Sequence, residues 1–125
     1  MSVPAELKYT AEHEWIRVEG DEIVIGVTDF AQGELGDVVF IEIETEGENL
    51  SRGDTFGTIE AVKTVSDLYM PVDGEVLEVN PALEDTPELV NSEPFEGGWM
   101  IRVKMADPSQ LDDLMPADAY STLIG

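Results

Sequence analysis

Apolar and β-branched residues in this chain fall in short runs that glycine-containing turns separate. The pattern predicts seven strands, at residues 13–18, 22–28, 37–43, 55–62, 68–72, 75–79 and 99–104. Turn signals lie between them, at 19–21, 46–49, 52–54 and 73–74. Short strands with this spacing are typical of a sandwich or barrel, so we expect a mainly β fold.

Helix signals lie at the edges of these runs. Thr28 or Asp29 can cap a short helical turn over 30–35, which Gly36 would end. A cap residue followed by proline at 107–108 predicts a helix over 108–115, and a second helix can start after Pro116 and run over 117–123. Three apolar residues near the C-terminus, Leu111, Leu114 and Met115, form a stripe that we expect to pack on the sheet.

The length of 125 residues predicts one domain, 1–125, with a core of its own. The absence of cysteine excludes a disulfide framework, a thiolate nucleophile and a cysteine-based zinc site. Any thiol chemistry must therefore come from an attached group. The sequence has no basic and apolar signal segment, and no apolar run approaches the ~20 residues of a membrane span. We expect a cytoplasmic protein that does not bind membranes.

The formal net charge of −22 is extreme for so short a chain. Binding to nucleic acid or to anionic membranes depends on Lys and Arg, so this charge argues against both. The 42% of apolar residues argues against disorder. The many negative charges repel one another and destabilise the folded chain unless salt screens them. At 1 M salt the Debye length falls to about 3 Å, so the screening is strong. We therefore expect a halophilic source, a halophilic archaeon, with a merely acidic mesophile as the alternative.

Lys63 is the most informative residue for function. The chain has three lysines against 28 Asp and Glu, and only Lys63 lies mid-chain, between two β-rich runs. Residues 63–67 are few enough for a tight connection, which places Lys63 at the tip of a hairpin where another protein can reach it. Lys63 is therefore a candidate for covalent modification. The alternative is an ordinary ion pair with Glu60 or Asp67.

The sequence around Lys63 resembles a known attachment segment. Residues 60–63, Glu-Ala-Val-Lys, together with 66–76 are similar to the lipoyl-attachment segment of the glycine cleavage system H protein family. Segments 9–15, 25–32, 35–40, 80–91 and 97–101 also resemble segments of that family, in the same order. A lone apolar-Lys-apolar tetrapeptide would be weak evidence, but six ordered segments make a specific signal.

The resemblance implies a fold and a role. The fold is the lipoyl-domain hybrid barrel-sandwich of two antiparallel sheets with short helices, here with a lipoyl-binding core at 22–104 and C-terminal helices at 107–125. The role is that of a monomeric, non-catalytic carrier without a metal, with lipoic acid joined to Lys63 by an amide. It would shuttle an aminomethyl group from a pyridoxal-phosphate glycine decarboxylase to a tetrahydrofolate-dependent aminomethyltransferase, and electrons to dihydrolipoamide dehydrogenase.

The resemblance also implies roles for residues around the arm. A lipoate-attaching enzyme would recognise the hairpin with the help of Glu60 and Val62. Glu14 and Asp67 match acidic positions near a groove that shelters the amine of the loaded arm, which they could hold by charge-assisted hydrogen bonds. Glu12 stands there where many relatives have a small polar residue. The alternative is that all three acids belong to the solvated surface.

Three other functions stay open from the sequence. A biotin carrier domain would have the same fold, but biotin sites place Met on both sides of the lysine, where this chain has Val62 and Thr64. A small β-sandwich enzyme could use His13, Glu14 and Asp67, although one His supplies neither a multi-His metal site nor a base with its nucleophile, so a packing role is expected for His13. A lipoyl relay would hand its lipoate to other carriers.

Overall fold

The computed structural model describes residues 3–125, which fold into two antiparallel sheets. The nine strands in this range are β1 Lys8–Tyr9, β2 Glu14–Glu19, β3 Glu22–Val27, β4 Val38–Glu42, β5 Asn49–Leu50, β6 Thr55–Ala61, β7 Val65–Tyr69, β8 Gly74–Val79 and β9 Ile101–Met105. One sheet has the order β1-β2-β3-β9-β8-β5, and the other has the order β4-β6-β7. The expected mainly β fold of two antiparallel sheets is confirmed.

Alternating burial explains why these segments form strands. In β9, for example, Ile101, Val103 and Met105 are buried while the residues between them face outward. Apolar residues from both sheets, including Ile25, Ile59 and Val76, form the main core. Burial of such side chains contributes about 1.5–3 kcal/mol each. This core holds the three-stranded sheet, and with it the turn that carries Lys63, against the larger sheet.

The strand predictions were right in number for the longer strands and wrong at several boundaries. The run predicted as a strand over 68–72 is a strand over Val65–Tyr69. Pro71 has no N–H to donate to a ladder, and the pairing of Glu60 with Val65 starts the strand close to the turn. The connection expected over 63–67 is therefore shorter. The two-residue strands β1 and β5 were not predicted, because two residues show no period.

The helix predictions were partly right. Helix α1, Asp29–Leu35, has Thr28 as its cap, with the hydroxyl accepting from Ala31 N–H, and it ends at Gly36 with φ of 80°. Two single-turn helices, α2 Ala82–Asp85 and α3 Leu89–Ser92, were missed. At four residues each, they are too short for an apolar period to reveal.

The C-terminal segment also differs in detail from the prediction. The segment expected to be helical over 108–115 is a 3₁₀-helix, Pro108–Asp113, followed by extended chain. Its hydrogen bonds span three residues, as from Leu114 N–H to the Leu111 carbonyl. Helix α4, Ala117–Ile124, follows Pro116 as expected. The apolar stripe does pack: Leu111 and Leu114 lie against the main core, and Met115 lies against a smaller cluster around Tyr9, Trp15 and Tyr120.

Candidate functional site

Lys63 lies in the turn between β6 and β7. The last strand pair is Glu60 with Val65, and Ala61 N–H donates to the Thr64 carbonyl at 2.8 Å. The Lys63 side chain is exposed. The predicted placement at the tip of a hairpin is therefore confirmed. A short turn fixes the backbone of Lys63 and leaves its amine at the end of the flexible four-carbon stem that every lysine has.

The turn rests on the loop between α1 and β4. Val62 N–H donates to the Asp37 carbonyl at 3.0 Å, which ties the hairpin to this loop. The Lys63 stem lies directly over Gly36: a β-carbon added at Gly36 would come within 3.3 Å of Lys63 Cε. Gly36 therefore serves two purposes, since it ends α1 at a positive φ and leaves space for the lysine.

Asn91 holds that loop in place, and sequence reasoning gave it no role. Its Oδ1 accepts from Val38 N–H at 2.9 Å. Its Nδ2 donates to the Gly36 carbonyl at 2.9 Å and to Gln32 Oε1 at 3.1 Å. One side chain thus satisfies backbone groups on both sides of Asp37. The only signal in the sequence was an amide within an apolar stretch, Leu89-Val90-Asn91, which does not reveal its partners.

Glu14 is buried, which the sequence did not predict. Its side chain is 2% exposed, and its carboxylate accepts from Tyr69 N–H at 2.8 Å and from the Thr10 hydroxyl at 3.3 Å. Tyr69 belongs to β7, which is an edge strand of the three-stranded sheet among the residues that the structure describes. Glu14 therefore links the larger sheet to the free edge of the lysine-bearing hairpin. Burial is the main cause that raises the pKa of the carboxyl to about 8, against the opposing hydrogen bond from Tyr69.

Asp67 and Glu12 are exposed. Asp67 lies on β7 opposite Thr58, two residues from Tyr69 and hence roughly 7 Å from it along the strand. Glu12 contributes, after burial, to the raised pKa of Glu14, so its charge lies near that carboxyl. Glu12 also borders a cavity of about 200 Å³ together with Arg52 and Met115. Glu14 and Asp67 thus both lie at β7. Asp67 is an exposed residue of that strand, and the buried Glu14 of β2 bonds to its backbone.

His13 has a packing role, as expected. Its Nδ1 lies 2.9 Å from the Tyr120 hydroxyl, and its ring packs against Phe30 with centroids 4.8 Å apart. Burial lowers its pKa. His13 therefore contacts α4 and α1, whereas Glu14 contacts β7. Within residues 3–125, no cluster of three or more His, Cys, Asp or Glu could hold a metal ion.

The helices of the described range are all too short or too polar to cross a membrane.

Comparisons with known proteins agree with this geometry. A family model described as glycine cleavage H-protein matches residues 7–125. The glycine cleavage system H protein of Staphylococcus haemolyticus is 56% identical over 125 residues, covering 100% of this chain and 99% of the relative. That of Bacteroides thetaiotaomicron is 57% identical over 124 residues, with 99% and 98% covered.

A solved structure gives the same result for the fold. The crystal structure of a glycine cleavage system H protein from Mycobacterium marinum matches with a TM-score of 0.87 and 36% identity, covering 96% of this chain and 97% of that one. The likeness thus covers nearly all of both chains. The chain therefore belongs to the glycine cleavage H-protein family.

Proposed function

We propose that this chain is the lipoyl carrier of a glycine cleavage system, with lipoic acid joined by an amide to Lys63. The observation that carries the proposal is the exposed Lys63 on a two-strand turn in a chain of this family. An amine with a fixed root and a mobile stem suits a group that has to visit several enzymes. The carrier itself would be non-catalytic, and the proposed partners are glycine decarboxylase, aminomethyltransferase and dihydrolipoamide dehydrogenase.

The residues around Lys63 fit a long, mostly apolar group. Gly36 presents no side chain to the stem, and a β-carbon there would come within 3.3 Å of Lys63 Cε. The neighbouring Val62 and Val65 are exposed and uncharged. When bound, lipoate would supply a cyclic disulfide, which this cysteine-free chain lacks. The chain's own task is then to present the arm, since the turn holds the root of the lysine in place.

Two acids that meet at β7, Asp67 of that strand and Glu14 of β2, are proposed to protect the amine that the arm transports. Asp67 is exposed and lies four residues from Lys63, hence at most roughly 14 Å from it. Glu14 meets the same strand at Tyr69, farther from Lys63, and is already bonded to backbone. Asp67 is therefore the acid proposed to contact the amine directly. Glu14 would act from beneath by fixing the strand edge, and Glu12 would add negative charge.

Reconstitution with the three partner enzymes tests the carrier role. Glycine, tetrahydrofolate and NAD⁺ turn over only if the carrier completes the cycle, so lipoylated wild-type chain should support turnover. Lys63→Arg should abolish it while leaving the melting temperature unchanged, because Arg keeps the charge but lacks an amine that can be acylated. Lys104→Arg is the matched control and should retain activity. Equal activity of Lys63→Arg and wild type would refute the proposal.

Variants at the acids test the protection of the amine. Asp67→Asn should speed loss of the amine from isolated, loaded carrier, because a charge-assisted hydrogen bond is worth roughly 1.5–3 kcal/mol. Reduction of the unloaded disulfide form, which has no amine, should change little. If both rates change equally, Asp67 supports the fold or belongs to the acidic surface, and the proposed site shrinks to Lys63 alone.

A requirement for salt is a separate proposal, supported by the net charge of −22. The relatives quoted above come from bacteria, so they give no support to an archaeal source. The proposed location is the cytoplasm, and the proposed state is a monomer, which light scattering at high salt can check.

A further inference from the structure

Exposed apolar residues are concentrated beside Lys63. Within residues 3–125, six large apolar side chains are exposed, and four of them surround the lysine turn. These four are Val39, Phe40, Val62 and Val65, with exposed fractions of 51%, 48%, 74% and 61%. The other two, Val18 and Leu123, lie on β2 and α4. Single exposed apolar residues are ordinary, but several on one face of a molecule are typical of an interaction site.

The strand register brings the four residues to one face of the three-stranded sheet. Phe40 pairs with Glu60, and Glu60 pairs with Val65, so the three lie in one row across the three-stranded sheet. Neighbouring strands are about 4.8 Å apart, so the row is roughly 10 Å wide. A register shift between Val38 and Phe40 places Val39 beside this row. Val62 follows directly after β6. Residues of β4 and of the hairpin of β6 and β7, which are distant in sequence, thus form one face. We call this face, with Val39, Phe40, Val62 and Val65, the turn face.

Acidic residues lie within and beside the turn face. Glu60 stands between Phe40 and Val65 in the row, and Asp37 and Asp67 are exposed beside it. At its far side, Phe40 also borders a cavity of about 360 Å³ whose rim includes Glu42 and Glu84. A complementary partner would therefore have apolar side chains opposite the four apolar residues and Lys or Arg residues opposite these acids. The structure shows no basic side chain on the turn face other than Lys63 within the described part of the chain.

The length of the lysine decides which partner has to touch this face. The bare amine reaches only about 6 Å from its Cα, so an enzyme that acylates it must bring its active site against the turn. Enzymes that act on the finished arm work on the order of 10 Å or more from the backbone, and can dock farther away. The enzyme that attaches lipoate therefore has to approach the lysine turn more closely than the other partners.

We propose that the turn face, with Val39 and Phe40 of β4 as well as Val62 and Val65, is the docking surface of the lipoate-attaching enzyme. This inference rests on the proposed function of Lys63 and extends recognition from the hairpin to a separate strand. The reaction is acyl transfer from an activated lipoyl adenylate. The bond from Nζ to the acyl carbon forms, the bond from that carbon to the AMP oxygen breaks, and the lysine ammonium releases two protons without any change of oxidation state.

Paired variants test the proposal. Val39→Ser with Phe40→Ser removes the part of the turn face that lies outside the hairpin. Val18→Ser with Leu123→Ser removes the same kind of exposed apolar surface elsewhere on the molecule. Each purified chain is lipoylated by a lipoate ligase with ATP and lipoate at molar salt. We expect kcat/KM for the first pair to fall about tenfold, mainly through KM, as for central interface residues, and that for the second pair to change less than twofold.

Two controls separate docking from folding and from lysine reactivity. A small N-hydroxysuccinimide ester needs no docking surface, so its reaction at Lys63, measured by peptide mass against Lys8 and Lys104 in the same chain, should be unchanged. The single variant Val39→Ser, at a half-exposed bulge position, should lower kcat/KM about threefold if the double variant is unstable.

The outcomes distinguish this inference from the proposed function. If the ligase does not modify Lys63 in the wild-type chain, the proposed function fails. If it modifies wild type and both pairs at the same rate, the docking surface is refuted while the proposed function stands. If the Val39 and Phe40 variant slows only the enzymes that act on the finished arm, the face belongs to one of those partners and the assignment is also refuted.

Discussion

Glu14→Gln gives the sharpest test of the buried carboxyl that joins the two sheets. Gln keeps an oxygen to accept from Tyr69 N–H and an amide to face the Thr10 hydroxyl, but it cannot ionise. Burial raises the pKa of Glu14 from an ordinary 4.5 to about 8, so the folded state favours the neutral acid. The variant therefore removes one titration and leaves the contacts in place.

The direction in which stability changes with pH follows from proton linkage. Between the unfolded and folded pKa values the folded chain binds one more proton than the unfolded chain, so stability falls as pH rises. The penalty is absent below pH 4.5, grows by about 1.4 kcal/mol per pH unit, and is complete above about 8. From pH 5 to pH 8 the wild-type chain should lose ~3–4 kcal/mol relative to Glu14→Gln.

Urea unfolding at a fixed molar KCl concentration, followed by tryptophan fluorescence from pH 5 to 9, measures this difference. Glu84→Gln, at an exposed position on α2, is the control for a lost surface charge and should run parallel to wild type. Parallel curves for Glu14→Gln and wild type would show instead that Glu14 titrates as a solvated acid and that burial does not raise its pKa.

Three further predictions concern the support of the hairpin and the surface charge. Asn91→Ala leaves Val38 N–H and the Gly36 carbonyl unpaired and should lower the free energy of unfolding by ~2–3 kcal/mol in urea titrations; a loss near zero would mean that water replaces the amide. Gly36→Ala places a side chain at φ of 80° and should cost ~1–3 kcal/mol; no loss would contradict the glycine conformation. The melting temperature should climb steeply from tens of millimolar to molar KCl, and a flat profile would remove the inference of a salt-requiring fold.

The lysine turn could be predicted because its signals are local. Two β-rich runs and a short connection were enough to place Lys63 at a hairpin tip, and the Thr28 cap and Gly36 end were visible in the sequence. The burial of Glu14 could not be predicted, since it depends on β2 meeting β7, and Glu14 is 55 residues from its partner Tyr69. Asn91 is likewise 53 residues from Val38. The sequence does not show which backbone group an acidic or amide side chain will bond.

The exposure of the turn face could not be predicted from the sequence either. Val39 and Phe40 were predicted as part of a strand, and alternation would have turned one of the two inward. The register shift beside β6 leaves both exposed instead. A bulge of this kind is a property of the pairing between strands, so no single segment reveals it.

Peptide mass spectrometry of the chain from lipoate-replete cells is the most direct test of whether Lys63 carries lipoate. We expect the peptide containing Lys63 to carry a lipoyl amide and the peptides containing Lys8 and Lys104 to be unmodified. A bare Lys63 in cells whose glycine cleavage pathway works through this chain would contradict this expectation.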